Sequence, residues 1–284
     1  MGTIEADDGT SLWVERTGDG PGLPLVLCHG GPGLWDNLGP LAALLDHDRP
    51  VVRWDQRGCG RSGGLDGPFS LAQSLADLDA IRRHLGISRW IVGGHSWGAA
   101  LALRAVLAQP TSAAGLLYLS GTGLGRGWHP AYKSARAERL TPEQLARCEV
   151  LEALPNRTRS EEVEWRTLRW APDFADRSRA LELAAIDAAA PWAVNTVCNR
   201  AIDAGTKCWD TATLLGQCAT VDVASLFVQG AQDPRPPSAI DELVREMPNA
   251  DVEIIDDAGH TPWLERPGAV AAVLRPWLAK RRCV

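Results

Sequence analysis

The stretch Trp90-Ile91-Val92-Gly93-Gly94-His95-Ser96-Trp97-Gly98, followed by the Ala/Leu-rich run Ala99 to Leu107, decides how the rest of the chain is read. An apolar run that empties into Gly-x-Ser-x-Gly and turns at once into a helical pattern predicts a strand, a sharp turn and a helix, with the serine at the apex. The residue types follow from the geometry. Gly94 and Gly98 have no Cβ, so strand and helix can cross closely, and Ser96 can be held in a strained conformation with its Oγ exposed. The N-terminus of the following helix points free N–H groups and its positive dipole end at any oxyanion formed there.

Working outward, the continuous apolar run Pro24 to Cys28 predicts a strand buried on both faces and Leu116 to Ser120 another buried strand, and Pro50 to Trp54, Ala224 to Gly230 and Val252 to Ile255 predict further strands. Helical spacing of Leu75, Leu78, Ile81 and Leu85, with Gly86 as the C-terminal stop, places a helix between two of them. The helix after Ser96 runs to Gln109 and is stopped by Pro110, and a closing helix spans Ala269 to Ala279. Strands Thr3 to Ala6 and Leu12 to Arg16 around Asp8-Gly9 predict an N-terminal hairpin. Strands alternating with helices predict an α/β fold with a mostly parallel central sheet flanked by helices.

From Gly125 to Cys218 the rhythm changes. Thr141-Pro142-Glu143-Gln144 has the order of an N-cap, a first-turn proline and a capping-box glutamine, and Ser160-Glu161-Glu162 offers another acidic helix start. This stretch predicts an inserted helical cap (125–218) between two parts of the core (1–124 and 219–284). It carries Trp128, Trp165, Trp170, Trp192 and Trp209, read mainly as packing.

The bulk properties limit the function. A chain of 284 residues with 45% apolar and 23% charged residues is ordinary for a globular protein with a sizeable core. A net charge of −6 with no Lys/Arg run beyond the short Lys280-Arg281-Arg282 excludes a phosphate-neutralising nucleic-acid binder. No apolar run approaches a membrane span and the acidic start does not resemble a leader, so cytoplasm and no membrane partner are expected. Seven scattered cysteines (28, 59, 148, 198, 208, 218 and 283) without a C-x-x-C pair predict free thiols, with neither a disulfide framework nor a metal site.

Three polar residues follow predicted strands in the order Ser96, Asp233, His260, the chain order of a Ser-Asp-His hydrolase triad. A hydroxyl is a poor nucleophile near neutral pH, so an imidazole must take its proton and return it to the leaving group. A carboxylate behind the imidazole fixes the tautomer and stabilises the imidazolium. Asp256 and Asp257 compete with Asp233 by their nearness to His260 but read equally as turn residues.

His29-Gly30-Gly31-Pro32-Gly33, Asp55-Gln56-Arg57-Gly58-Cys59-Gly60-Arg61-Ser62 and Gly94-His95-Ser96-Trp97-Gly98, in that order, resemble the proline iminopeptidases among the α/β-hydrolases. The resemblance covers roughly residues 20 to 120 and 220 to 270. It implies an α/β-hydrolase fold with a mainly helical cap, no cofactor or metal, and release of an N-terminal residue by acyl transfer. It further implies Ser96 as nucleophile, His260 as base, Asp233 as orienting acid, and the backbone N–H groups of Gly31 and Trp97 as the oxyanion hole. His29 is expected to brace its loop, and Arg57 and Arg61 to pair with nearby carboxylates or carbonyls.

The cap departs from that pattern. Proline iminopeptidases carry a cap glutamate for the substrate's ammonium; the nearest counterpart here, Ala193-Val194-Asn195-Thr196, has no acidic residue. Candidates for holding an ammonium are Asp36, Glu161, Glu162, Glu164 and Asp187, and the expected substrate contacts are Gly30, Asp36, Trp192 and Asn195. The expected partner is therefore a small molecule or short peptide with a free amino group, including an aminoacylated natural product. An ester, thioester or lactone hydrolase on the same scaffold is the alternative, and a non-catalytic ligand-binding homologue is a third.

Overall fold

The computed structural model describes residues 2–281, so Arg282 of the basic tail and the cysteine expected as a free thiol at 283 lie outside the described residues. The chain opens with β1 (Gly2–Glu5) and β2 (Ser11–Thr17), the expected hairpin, then β3 (Leu25–Cys28), a short helix α1 (Gly39–Ala43) and β4 (Val51–Trp54). Next come α2 (Leu71–His84), β5 (Trp90–His95), α3 (Trp97–Ala108) and β6 (Ala113–Leu119). Gly86 adopts a φ of 63°, as the residue after a helix end requires.

Between β6 and β7 the described residues form helices without strands: α4 (His129–Glu138), α5 (Pro142–Ala153), α6 (Arg159–Trp170), α7 (Ala180–Ala188), α8 (Thr196–Lys207) and α9 (Thr211–Thr220). Helix α5 starts with the Thr141–Gln144 capping box read from the sequence. The start of α6 lies earlier than expected: Thr158, not Ser160, is the N-cap, with Glu161 completing its box. Thr158 wins because it stands three residues before a glutamate, the spacing reciprocal capping needs. The chain closes with β7 (Ser225–Gly230), α10 (Asp241–Glu246), β8 (Ala250–Ile255), α11 (Pro262–Glu265) and α12 (Pro267–Ala279).

The eight strands form one sheet in the order β1-β2-β4-β3-β5-β6-β7-β8, antiparallel at β1-β2-β4 and parallel from there on. Side chains alternate across it, as a two-residue period demands. Val26, Cys28, Val52, Trp54, Val92, Leu116 and Tyr118 pack on one face with α2 and α3. Leu25, Leu27, Val51, Ile91, Leu117 and Leu119 pack on the other with α1 and α12. Each fully buried Leu or Val contributes roughly 1.5–3 kcal/mol, so both faces are firmly fixed. β8, at the sheet edge, is exposed along most of its length.

The six described cysteines are free thiols. No helix among the described residues is long and apolar enough to cross a membrane.

Candidate active site

Ser96 stands between β5 and α3 with φ 56° and ψ −117°, a left-handed conformation that costs a non-glycine residue on the order of 1–3 kcal/mol. The surrounding structure compels it. A Cβ on Gly94 would overlap the carbonyl of Gly98, and a Cβ on Gly98 would overlap the carbonyl of Cys28. Strand and helix therefore touch backbone to backbone at the two glycines. Ser96 is half-buried while its neighbours in the turn are buried, and Trp97, as first residue of α3, has an N–H with no partner inside the helix.

Parallel strands deliver the other two polar residues to the same edge of the sheet, where ligands bind in open α/β folds. Asp233 follows β7 and His260 follows β8, and the His260 Nδ1 lies 2.6 Å from Asp233 Oδ2, both side chains nearly inaccessible. That bond leaves Nε2 as the free ring nitrogen of His260. Ser96 and His260 both line one cavity of about 190 Å³, together with Gly30, Gly31, Trp35, Asp187 and Arg235. A second cavity of about 230 Å³ also borders Ser96, Gly31 and Arg235; its other walls mix apolar side chains, among them Trp97, Trp128 and Trp209, with polar ones such as Arg126, Asn199 and Asp203. Ser96 thus stands between two chambers.

The loop after β3 is braced as expected. Gln56 N–H donates to His29 Nε2 (3.0 Å), so His29 donates from Nδ1 to the Gly30 carbonyl (2.7 Å). Burial lowers the His29 pKa and keeps the ring neutral. Gln56 also donates to the His29 carbonyl and accepts from Trp97 Nε1 (3.0 Å), tying the loop of Gly31 to the start of α3. Arg57 pairs with Asp8 and Asp77, and Arg61 with Asp55, structural roles as read from the sequence.

Of the expected substrate contacts, Gly30 lines the first cavity and three others are used elsewhere. Asp36 is buried against Arg53, caps the N–H of Leu38 and is not among the residues that line the Ser96 cavity. Asn195 is the N-cap of α8, accepting from Cys198 N–H, while its Nδ2 donates to the Gly58 carbonyl (2.9 Å) and its N–H to the Gly33 carbonyl (2.8 Å). It pins the cap to the core. Trp192 packs on Trp35, ring centroids 5.9 Å apart, with the Arg61 guanidinium 4.8 Å from its centroid.

The five carboxylates considered for an ammonium separate cleanly. Asp36 has Arg53, Glu162 has Arg157 and Arg166, Glu164 has Arg147, and Glu161 is spent in the Thr158 box. Asp187, in α7, lines the cavity of Ser96, and its partner is neutral: Asn37 Nδ2 donates to Oδ2 at 2.7 Å. Burial raises its pKa, and only that hydrogen bond opposes the rise.

Three further residues were not singled out by the sequence. Arg235 donates its N–H to Asp233 Oδ1 (2.8 Å) and pairs through Nη1 with Asp173 of the cap (2.9 Å). The Glu265 carboxylate accepts the N–H groups of Ala175, Asp176 and Gly259, and His260 N–H donates to the Asp173 carbonyl (2.7 Å). Nothing in Asp233-Pro234-Arg235-Pro236 signals the role of Arg235, and the Glu265 side chain reaches back from α11 to the His260 loop. Burial holds His95 well below the ordinary histidine pKa; its ring lies 4.6 Å from that of His260, and its Nε2 donates to the His260 carbonyl (3.0 Å). Among the described residues no three His, Cys, Asp or Glu side chains converge as a metal ion would need.

Residues 25–273 match the alpha/beta hydrolase family. A probable proline iminopeptidase of Streptomyces coelicolor is 34% identical over 188 residues, which cover 63% of this chain and 57% of that protein. The matched region thus spans little more than half of that relative. Among solved structures, the proline iminopeptidase of Mycobacterium smegmatis superposes with a TM-score of 0.71 at 23% identity, covering 98% of this chain and 97% of that one. A thermophilic esterase from Thermogutta terrifontis superposes with a TM-score of 0.76 at 22% identity over the full length of both chains. At those identities the two structures speak for the fold.

Proposed function

Because the chain belongs to the alpha/beta hydrolase family, we propose that it is a serine hydrolase that removes an aminoacyl group with a free amine from a small amide. The observation that carries the aminoacyl part is Asp187, a carboxylate without a cation on the wall of the Ser96 cavity. The relatives named as proline iminopeptidases support the same class.

In this mechanism Ser96 Oγ attacks the scissile carbonyl carbon and the free Nε2 of His260 takes the hydroxyl proton. Asp233, held by Arg235 on its other oxygen, keeps the His260 proton on Nδ1 and stabilises the imidazolium. The oxyanion meets the N–H groups of Gly31 and Trp97, an arrangement whose single donors are worth about 2.7–4 kcal/mol in comparable hydrolases. As the tetrahedral species collapses, the C–N bond breaks and the amine leaves with the proton from Nε2. Water then attacks the acyl-serine with His260 again as base, and the released acid restores Ser96.

The two chambers divide the substrate. The acyl residue occupies the smaller one, its ammonium on Asp187 and Asn37, and the leaving amine lies among Trp97, Trp128 and Trp209. At about 190 Å³ the acyl chamber is below the usual 300–1,000 Å³ of drug-sized sites, which favours a single residue over a longer acyl chain. Aminoacyl arylamides should release arylamine, a fluorophosphonate should label Ser96, and Ser96→Ala should abolish both. Turnover that survives Ser96→Ala refutes the mechanism. Equal turnover of N-acetylated and free-amine substrates refutes the aminoacyl assignment and leaves an ester, thioester or lactone hydrolase.

A further inference from the structure

Five charged side chains besides His260 line the acyl chamber: Asp173, Asp187, Arg136, Arg169 and Arg235. Asp173 and Arg235 neutralise one another at 2.9 Å, and Arg169 reaches outward to Glu152 at 3.7 Å, both partners well exposed. Among the described residues, Asp187 and Arg136 are left as one anion and one cation without a charged partner in ion-pair contact.

Arg136 is fixed by neutral groups. Its Nη2 donates to the Arg169 carbonyl in the last turn of α6 (2.7 Å), its Nη1 to the Tyr132 hydroxyl (3.0 Å), and its guanidinium lies 5.2 Å from the Tyr132 ring centroid. Its Nε is buried with no hydrogen-bond partner. A guanidinium cannot shed its proton, so this half-buried side chain holds a charge at the cavity wall with only neutral groups bonded to it. A carboxylate in the chamber would compensate that charge, and Arg is the side chain whose planar donor fork matches one.

We propose that Arg136 receives a carboxylate of the acyl group, so that the residue transferred to Ser96 is an acidic amino acid, its ammonium on Asp187 and its free carboxylate on Arg136. Both side chains come from the cap, and both line the acyl chamber and not the leaving-group chamber, which separates this carboxylate from the C-terminus of a peptide leaving group. The same chemistry serves two linkages. An α-aminoacyl bond leaves the side-chain carboxylate free, and a side-chain acyl bond leaves the α-carboxylate free. The proposal rests on the aminoacyl-hydrolase function, and deepens it.

The test compares p-nitroanilides of α-glutamyl, γ-glutamyl, glutaminyl and prolyl groups on the full chain and on Arg136→Gln. For one glutamyl linkage the ratio of its kcat/KM to that of the glutaminyl substrate should be roughly tenfold or more, and should fall by about that factor in the variant. The preferred linkage identifies the scissile carboxyl. A wild-type preference for neutral acyl groups, or a ratio unmoved by Arg136→Gln, overturns the proposal while leaving the aminoacyl hydrolase standing. A second measurement does not need amide turnover: L-glutamate should slow fluorophosphonate labelling of Ser96 more than L-glutamine does, and Arg136→Gln should remove the difference. Equal protection by the two amino acids in the wild type also overturns it, and labelling itself reports that the variant is folded.

Discussion

Replacing Asp187 by asparagine removes one charge and keeps shape and the hydrogen bond from Asn37, whose Nδ2 lies 2.7 Å from the carboxylate. Two consequences with opposite signs follow. An ammonium on that carboxylate makes a charge-assisted hydrogen bond worth about 1.5–3 kcal/mol, or roughly 10- to 150-fold in kcat/KM at 1.4 kcal/mol per decade. The variant should lose that factor on substrates with a free amine and not on N-acetylated ones, so the ratio of the two is the quantity to measure.

Stability should move the other way. Burial raises the folded-state pKa of Asp187 above the unfolded value of 3.8, so the folded protein holds this proton more tightly than the unfolded chain. The ionised group therefore disfavours folding, by an amount that is absent below pH 3.8 and grows as pH rises through the folded pKa. Asp187→Asn should then hold or raise Tm at pH 7, and the difference from wild type should close on acidification. Stabilising changes of this kind at functional sites run to roughly 0.5–2 kcal/mol. A variant that loses activity equally on free and blocked amines, or that is clearly less stable at pH 7, would show that Asp187 is a structural carboxylate.

His29 and His95 are both buried with pKa values pushed below the ordinary 6.5 by desolvation, so both must gain a proton on unfolding below that pH. Stability should fall as pH drops below about 6.5, by up to about 1.4 kcal/mol per pH unit for each histidine. His95→Gln, whose amide can still reach the His260 carbonyl, should flatten that slope in thermal melts between pH 5 and 7; an unchanged slope counts against a neutral buried His95. Gly98→Ala forces a Cβ into the Cys28 carbonyl and should cost at least about 1–3 kcal/mol together with fluorophosphonate labelling of Ser96. A variant that melts with wild type would mean the elbow is not held by that contact.

The core was legible because its signals are local. Each parallel strand is a short apolar run ending in glycine or a polar residue, and the two elbow glycines stand where the structure puts backbone against backbone. Helices α1, α10 and α11 were not read, being four to six residues long and too short to show a helical period. What no local pattern holds is which charges meet. Asp36 looked available until the fold brought Arg53, seventeen positions away, onto it. Glu162 does have a local signal, Arg166 one helical turn on and Arg157 five residues before, whereas Asp187 is bonded by an asparagine 150 positions distant. Asn195 was read as a substrate contact for its place in the cap motif, yet its polar atoms are consumed by a helix start and two loop carbonyls.

The cap also bears on the catalytic loop itself, which limits how substrate can enter. His260 donates its N–H to the Asp173 carbonyl, and Glu265 clamps Gly259 to Ala175 and Asp176. Arg235 joins Asp233 to Asp173. A cap that swung off as a rigid body would break this set of bonds at once, including the Arg235–Asp173 ion pair. It would also withdraw the supports that orient the imidazole. Substrate is better admitted through the two chambers that meet at Ser96 than by lifting the cap. Under the proposed function, the cap charges that would select the acyl group belong to the same closed arrangement as the cap backbone that bonds the His260 loop.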